Sequence, residues 1–258
     1  MTEPAVRYAP GTPCWVSLMV HGLESTQKFY GALFGWEFVH GPKQLGPYVR
    51  ALLDGREVAG IGMMPKGRNL PVAWTPYLAS DDVNATAEAI RSYGGTVGVG
   101  PLDAEDAGRL AIAVDPAGAV FGVWQPGAHG GAATVNECGS MAWNELLTRD
   151  TAGVVKFYNA VFGYEAEALL SAGDDYVTLR LAGRPVAAVH GLGQALPRDR
   201  GAHWMTSFEM TDVDDAAGQV VDLGGHVVQA PRDESHGRTA IVADPEGAVF
   251  TLVETAAD

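Results

Sequence analysis

The chain is short of cysteine and has no long hydrophobic run. With only two cysteines, Cys14 and Cys138, among 258 residues, it has no disulfide framework, so we expect free thiols and a cytoplasmic protein. No run of about 20 apolar residues is present, so we expect no membrane-spanning helix. The N-terminus has no basic segment followed by an apolar one, and we therefore expect no signal peptide.

Positive charge is also scarce. The chain has 17 Lys and Arg residues against 31 Asp and Glu residues, which gives a formal net charge of −14. Nucleic-acid binding needs a basic surface, and no cluster of basic residues is present, so we do not expect that function. The sequence also lacks HExxH, GxSxG and GxGxxG motifs, which makes a zinc protease, a serine hydrolase and a nucleotide-binding protein poor interpretations.

The sequence contains an internal repeat. Residues 15–37 align without a gap on residues 143–165, with nine identities in 23 positions. For two unrelated segments of average composition, roughly one or two identities would be expected by chance. Further matches follow in the same order, including two DPxG turns. We therefore predict two domains, at residues 12–126 and 140–255, joined by a Gly-rich linker at residues 127–139.

Each repeat reads as strand, helix and three strands, and then the same order again. Ser25 is a candidate N-cap of the first helix, and Gly35 is suited to end it because glycine accepts the left-handed conformation. Asp82 is the candidate N-cap of the second helix, and the Asp54-Gly55 pair predicts a hairpin. The predicted fold class is α+β with four βαβββ units.

Two motifs in this order, FYxxxFG in the first helix and DPxGxxF in the last hairpin, occur in both repeats. They resemble the vicinal oxygen chelate superfamily, which includes glyoxalases, bleomycin-resistance-type binding proteins and extradiol dioxygenases. The tandem actinobacterial members, labelled hydroxylases or glyoxalase-like proteins, are the most similar. This resemblance implies two glyoxalase-like domains with cupped mixed sheets and a ligand cavity. It also implies a divalent metal held by His, Glu or Gln side chains.

The positions that match the family's metal ligands carry other residue types in this sequence. They are Trp15, Gly60, Pro76 and Gly122 in the first repeat and Trp143, Ala188, Thr206 and Thr251 in the second. These side chains do not coordinate a divalent ion well. We therefore expect no metal and no other cofactor, with a divalent metal on displaced ligands as the alternative.

Two residues of the second repeat are candidate catalytic groups. Glu145 lies two residues after Trp143, and His190 lies two residues after Ala188, so each shares a strand face with a former ligand position. Their counterparts in the first repeat are Ser17 and Gly62, so this chemistry would belong to the second repeat alone. The alternative interpretation is a hydrogen-bonded structural carboxylate and a histidine at the surface.

A group of mainly aromatic residues on predicted strands could line a cavity for a flat ligand. The candidates are Trp15, Trp74, Trp124, Trp143, Tyr176, His203 and Trp204. The alternative is core packing, which fits equally well, because Trp15/Trp143 and Trp74/Trp204 occur in both repeats and both copies share the fold.

Three functions fit these observations. The first is a protein that binds a small, aromatic metabolite in a metal-free cavity, like the resistance proteins. The second is a metal-dependent lyase or dioxygenase that uses Glu145, His190 and His203. The third is a metal-free enzyme that acts on an aromatic or polyketide-like metabolite. The partner in each case is a small molecule, and the chain would act as a monomer or homodimer.

Overall fold

A computed structural model describes residues 7–65, 67, 71–168, 175–196, 200–234 and 237–255. The first repeat contains ten of the helices and strands found there: β1 Pro13–Val20, α1 Leu23–Phe34, β2 Glu37–His40, β3 Tyr48–Leu53, β4 Arg56–Met63, β5 Trp74–Ala79, α2 Val83–Ser92, β6 Thr96–Ala104, β7 Gly108–Val114 and β8 Val120–Pro126.

The second repeat has the same order of elements. They are β9 Met141–Thr148, α3 Thr151–Phe162, β10 Glu165–Ala168, β11 Asp175–Leu181, β12 Arg184–Gly191, β13 His203–Glu209, α4 Val213–Asp222, β14 His226–Glu234, β15 Gly237–Ala243 and β16 Val249–Thr255. Within the described residues, no helix is both long enough and apolar enough to cross a membrane.

The strands form two mixed eight-stranded sheets with the same order of elements. The first runs β2-β3-β4-β1-β5-β8-β7-β6, and the second runs β10-β11-β12-β9-β13-β16-β15-β14. The first strand of each βαβββ unit is parallel to the last: β1 pairs with β4, and β9 pairs with β12. The predicted α+β class with four βαβββ units is therefore confirmed.

The chain contains two compact units. One consists of the described residues of Met1–Cys14, Thr75–Gly131 and Asn144–Met205, so it holds β6–β8, β10–β12, most of β5 and β9, the start of β13, and helices α2 and α3. The other consists of the described residues of Trp15–Trp74, Ala132–Trp143 and Thr206–Asp258, and it holds the remaining two helices. Each unit has its own hydrophobic core, formed by two helices and one face of their strands. The boundaries 12–126 and 140–255 remain a prediction.

A buried Trp–Tyr–Asp chain of hydrogen bonds stabilises the unit that contains α3. The indole Nε1 of Trp204 donates to the hydroxyl of Tyr158 at 3.1 Å, and this hydroxyl donates to Asp115 Oδ2 at 3.2 Å. Asp115 also accepts the backbone N–H groups of Ala117 and Ala119 in its DPxG turn. Desolvation raises the pKa of the Asp115 carboxyl and raises the pKa of the Tyr158 hydroxyl well above its usual value.

The other unit has the equivalent chain of hydrogen bonds. Trp74 Nε1 donates to the Tyr30 hydroxyl at 3.0 Å, and this hydroxyl donates to Asp244 Oδ2 at 3.0 Å. In each unit, the tyrosine of the FYxxxFG helix motif is thus hydrogen-bonded to the aspartate of the DPxG turn motif.

The ends of the helices agree with the sequence in most places. Gly35 ends α1 in the left-handed conformation, with φ 73°, and the Asp82 side chain accepts the backbone N–H groups of Asn84 and Ala85 at the start of α2. The prediction that Ser25 caps α1 was wrong. The N-cap is Gly22, and Ser25 lies inside the first turn, where its hydroxyl donates to the Gly22 carbonyl.

Glu246, in the second DPxG turn, replaces the missing side-chain cap of α1. Its two carboxylate oxygens accept the backbone N–H groups of His21 and Gly22, each at 2.7 Å, and one of them also lies 3.4 Å from Thr26 Oγ1. Acidic groups are favoured at a helix N-terminus because unpaired N–H groups and the helix dipole meet there.

Replacing Glu246 with alanine should therefore destabilise the protein. We expect a loss of about 1–3 kcal/mol in the free energy of unfolding, because two charge-assisted hydrogen bonds are removed. Chemical denaturation measures this loss. The matched control is Glu165→Ala, on the exposed strand β10, which should unfold like the wild type. Equal stability of the two variants would contradict the capping role.

The predicted linker is held in place by contacts within each unit. Gly127 N–H donates to the Ala107 carbonyl at 2.9 Å, and the indole Nε1 of Trp36 donates to the Gly139 carbonyl at 2.7 Å. Arg56 makes two hydrogen bonds to the carboxylate of Glu137, at 2.8 and 2.6 Å. This arginine lowers the pKa of Glu137 to about 2.

Candidate functional site

The two candidate catalytic residues lie on neighbouring strands of the second sheet. On β9, Leu146 points into the core with residues of α3, so Glu145 points to the opposite face of the sheet. On β12, Val189 belongs to the same core, and His190 therefore also points to the opposite face. We call this side, which faces away from the helices, the helix-free face.

Glu145 and His190 form a hydrogen-bonded pair. His190 Nδ1 lies 2.8 Å from Glu145 Oε1, and the side chains are 33% and 24% exposed. An ionised carboxylate can only accept hydrogen bonds, so Nδ1 is the nitrogen that carries the proton. Within the described part of the chain, Glu145 Oε2 has no hydrogen-bond partner, and this oxygen can accept a further hydrogen bond from a ligand.

A carboxylate that orients an imidazole through Nδ1–H is a common arrangement for acid–base chemistry. It fixes the tautomer and stabilises the imidazolium that forms when the ring accepts a proton. The sequence had predicted only that the two residues could share a face. The structure shows that they are in direct contact and that both side chains are partly exposed.

Two further predicted residues lie on the strands beside this pair. The ring of Tyr176 on β11 meets the ring of His190 edge to face, with centroids 5.5 Å apart. His203 begins β13, which neighbours β9, and its Nδ1 lies 2.9 Å from the Gly201 carbonyl oxygen. Burial lowers the pKa of His203, which favours the neutral imidazole.

The predicted tryptophans divide into two groups. Trp74 and Trp204 are only 3% and 4% exposed and lie in the helix-facing cores, where tyrosine hydroxyls accept their indole N–H groups. We therefore assign these two to packing, the alternative interpretation of their occurrence in both repeats. A ligand role for them would require a surface that they do not have.

The other three tryptophans lie on the opposite strand faces. Trp143 is partly exposed and lies two residues before Glu145 on β9. Trp124 is buried, and its Nε1 donates to the His129 carbonyl at 3.0 Å. Trp15 is buried as well, and its Nε1 donates to the Tyr48 hydroxyl at 3.1 Å. Of the three, Trp143 has the accessibility that a ligand contact needs.

The helix-free face of the first repeat is covered by tyrosines that the sequence analysis missed. Tyr48 on β3 crosses β4, so that a Cβ added at Gly60 would overlap its hydroxyl oxygen. Tyr77 on β5 similarly covers Gly122 on β8. Both glycines are positions that match the family's metal ligands. The sequence contains these tyrosines and glycines, but only the strand register shows that Tyr48 pairs with Gly62 and Tyr77 with Gly122.

The described residues do not provide the donor set that the family's divalent metal needs. No group of three or more His, Cys, Asp or Glu side chains is placed to hold a metal ion in that part of the chain. Glu145 and His190 bring two donors together, but they bond to each other, and the neighbouring Ala188 cannot coordinate. Catalytic metal sites usually have three protein ligands. The residues present therefore do not fit the metal.

This mismatch leads to a testable expectation. Purified protein should carry no stoichiometric divalent metal after dialysis, and a chelator should leave its melting temperature unchanged, because two mutually bonded side chains hold a metal weakly. Elemental analysis by mass spectrometry measures the content. Retention of stoichiometric zinc, iron, manganese or nickel in the wild type, lost in a Glu145→Ala variant, would contradict it.

A surface depression of about 480 Å³ lies elsewhere, beside the N-terminus of α3. Arg149, Asp150 and Asp175 are among the residues that line it, and none of the predicted site residues does. Arg149 already donates to the carbonyls of Gly193 and Leu196, so its charge is used within the protein.

Comparisons with known proteins agree with the fold. A family model described as a glyoxalase-like domain matches residues 143–253. A Mycobacterium bovis protein named "Putative glyoxylase CFP32" is 37% identical over 255 residues, which cover 96% of this chain and 97% of that protein. The anthracycline biosynthesis protein DnrV of Streptomyces peucetius is 35% identical over 266 residues, with 96% and 94% covered.

A solved structure has the same fold. The Mn(II)-bound glyoxalase from Novosphingobium aromaticivorans aligns with a TM-score of 0.66 and 17% identity, over 96% of this chain and 83% of that one. The chain belongs to the glyoxalase-like family of the vicinal oxygen chelate superfamily.

Proposed function

We propose that the chain binds a small aromatic metabolite on the helix-free face of its second repeat and transforms it by acid–base chemistry without a metal. The observation that carries this proposal is the hydrogen bond between Glu145 and His190 on a partly exposed surface. In this role His190 exchanges a proton with the substrate, and Glu145 orients the imidazole. Tyr176 and Trp143 supply aromatic surface beside the pair.

The difference between the two repeats supports this choice of site. Packing residues such as Tyr30 and Tyr158 are equivalent in both units, but the ionisable pair occurs only in the second repeat. A partly desolvated carboxylate and imidazole carry a cost in free energy, which is tolerated more readily where the groups have a task. At the equivalent positions the first repeat has Ser17 and Gly62, which offer no acid–base group.

The relatives support the class of ligand. DnrV is named as an anthracycline biosynthesis protein, and it is similar along nearly the whole chain. Anthracyclines contain fused aromatic rings, and flat rings are the kind of ligand that aromatic side chains hold well. We therefore propose an aromatic, polyketide-like metabolite, with a cytoplasmic site of action because Cys14 and Cys138 are free thiols.

Two related functions are weighed against this proposal. Binding alone would need the same face without turnover. A metal-dependent lyase or dioxygenase would need a third donor beside Glu145 and His190, and the described residues do not place one there. The donor set thus favours the metal-free reaction.

The experiment is a binding and turnover screen on purified, dialysed protein. A panel of fused-ring aromatic ketones and quinones, including anthracycline precursors, is titrated by quenching of tryptophan fluorescence, and each mixture is then analysed by mass spectrometry. We expect saturable binding of at least some members and a product whose formation a chelator does not stop. Binding without any product would leave the binding function only, and turnover abolished by the chelator would favour the metal-dependent alternative.

A further inference from the structure

The first repeat holds a phenol group at the position where the second repeat has its ionisable pair. The Tyr48 hydroxyl accepts the indole N–H of Trp15 at 3.1 Å and lies 3.3 Å from Ser17 Oγ. Burial raises the pKa of this hydroxyl, so it stays protonated and can donate to Ser17. The protein thus binds a phenol of its own on this face, between a tryptophan and a polar residue of β1.

Glycines make this arrangement possible. A Cβ at Gly60 would overlap the Tyr48 hydroxyl oxygen, and a Cβ at Gly62 would lie 3.0 Å from Tyr48 Cδ2. Both glycines lie on β4, which is parallel to β1 with Ser17 opposite Gly60. A side chain at position 60 would occupy the place of the Tyr48 hydroxyl, and one at position 62 would crowd the tyrosine ring.

The second repeat cannot hold its own tyrosine in the same way. Ala188 replaces Gly60, and its Cβ would overlap the hydroxyl of a tyrosine in the Tyr48 conformation. Tyr176, the counterpart of Tyr48, instead meets the ring of His190 edge to face. On β9, the strand equivalent to β1, Glu145 stands where Ser17 contacts the Tyr48 hydroxyl, directly opposite Ala188.

We propose that the Glu145–His190 face recognises a phenolic hydroxyl group of its ligand, with Glu145 Oε2 as the acceptor. This inference rests on the proposed function and specifies its substrate class as hydroxyarenes. Glu145 Oε1 is engaged by His190, and Oε2 has no hydrogen-bond partner within the described residues. An O–H donor that bonds to a carboxylate forms a short, charge-assisted hydrogen bond, stronger than the bond that Ser17 makes to Tyr48.

A bound hydroxyarene would resemble Tyr48 in the position of its hydroxyl group but not in the position of its ring. The imidazole of His190 occupies space that Gly62 leaves to the Tyr48 ring, so a bound hydroxyarene has to place its ring against the outer side of His190 and Tyr176. A ligand held in this way presents its hydroxyl proton to the carboxylate. Its methyl ether has no proton to donate and would leave Oε2 without a partner.

The test compares 2-naphthol with 2-methoxynaphthalene, which share the same ring system. Both are titrated into the wild-type protein and into Glu145→Gln and Glu145→Met variants, with binding followed by fluorescence. We expect 2-naphthol to bind the wild type at least about tenfold more tightly than the ether. This preference should vanish in both variants, because Glu145→Gln uses its amide oxygen for the His190 N–H and places an NH2 donor at the Oε2 position, and Glu145→Met has no acceptor there.

The outcomes separate this inference from the proposed function. Equal affinity of the two probes, with both weakened by the Glu145 variants, would overturn phenol recognition and leave aromatic binding at this face intact. Tighter binding of 2-naphthol that persists in Glu145→Met would place the hydroxyl elsewhere and overturn the inference. A failure of both probes to bind, when ketones or quinones of the panel do bind, would overturn phenol recognition and leave the aromatic-binding function intact. A failure of the probes and of the whole panel would overturn both.

A second arm uses the first repeat. Tyr48→Ala removes the internal phenol, while Tyr48→Phe keeps the ring in place. The alanine variant should bind one more equivalent of 2-naphthol than the wild type, and the phenylalanine variant should bind the same number. Calorimetric stoichiometry measures this, and thermal melting shows whether each variant is folded. An unchanged stoichiometry in folded Tyr48→Ala would overturn the equivalence of the two sites.

Discussion

The Glu145→Gln variant should lose about 100-fold or more in turnover of the aromatic substrate that the screen identifies. Glutamine keeps the size of the side chain and can still accept the Nδ1–H of His190, but it carries no charge to stabilise the imidazolium. Positioned general acid–base groups contribute about 10²–10⁴-fold to rates. His190→Gln should show a loss of similar size, because it removes the group that exchanges the proton. Steady-state kinetics measure both losses.

The melting temperatures of both variants should stay close to that of the wild type, because the pair is partly exposed and outside the hydrophobic core. The matched control is Ser17→Ala, which changes the equivalent position of the first repeat and should keep full turnover. Full activity in Glu145→Gln and His190→Gln would show that the pair has a structural role only. A loss of activity that is explained by unfolding of the variants would likewise indicate that the pair has a structural role only.

Tyr158→Phe should cause the second large effect, this time on stability. Removing one hydroxyl leaves the buried indole N–H of Trp204 without its acceptor and Asp115 without one of its donors. We expect a loss of about 2–3 kcal/mol in the free energy of unfolding, since an unpaired buried polar group costs about 1–3 kcal/mol. Chemical denaturation measures it, and Tyr30→Phe should behave in the same way.

The control for this prediction is Tyr93→Phe. Tyr93 is 55% exposed, so the loss of its hydroxyl should leave stability within about 0.5 kcal/mol of the wild type. Equal stability of Tyr158→Phe and Tyr93→Phe would contradict the claim that the buried hydrogen bonds between helix, strand and DPxG turn stabilise the unit.

The sequence was most informative where the signal is local. Gly35 and Asp82 were correctly predicted at a helix end and a helix start, because glycine and aspartate act on their own backbone neighbours. Ser25 was misassigned because the side chain that caps α1 belongs to Glu246. This residue lies 220 positions along the chain from Thr26, which is in the first turn of the helix. No local pattern contains that information.

The site could be predicted in part. The two-residue offsets of Glu145 and His190 from former ligand positions were sufficient to predict a shared face, and the structure adds the direct bond. The sequence could not decide on which face Trp74 and Trp204 lie, because alternation along a strand does not tell which side meets a helix. Tyr48 was missed because its contact with Gly60 depends on the register between separate strands.

The most direct test of the account is a nuclear magnetic resonance titration of the wild-type protein with 2-naphthol. The chain has seven histidines, so their ring signals can be assigned with single variants and followed together with the indole signal of Trp15. The account predicts a saturable shift of the His190 ring signals, with the Trp15 signal unchanged. A saturable shift at Trp15 without one at His190 would contradict it and place the binding site in the first repeat.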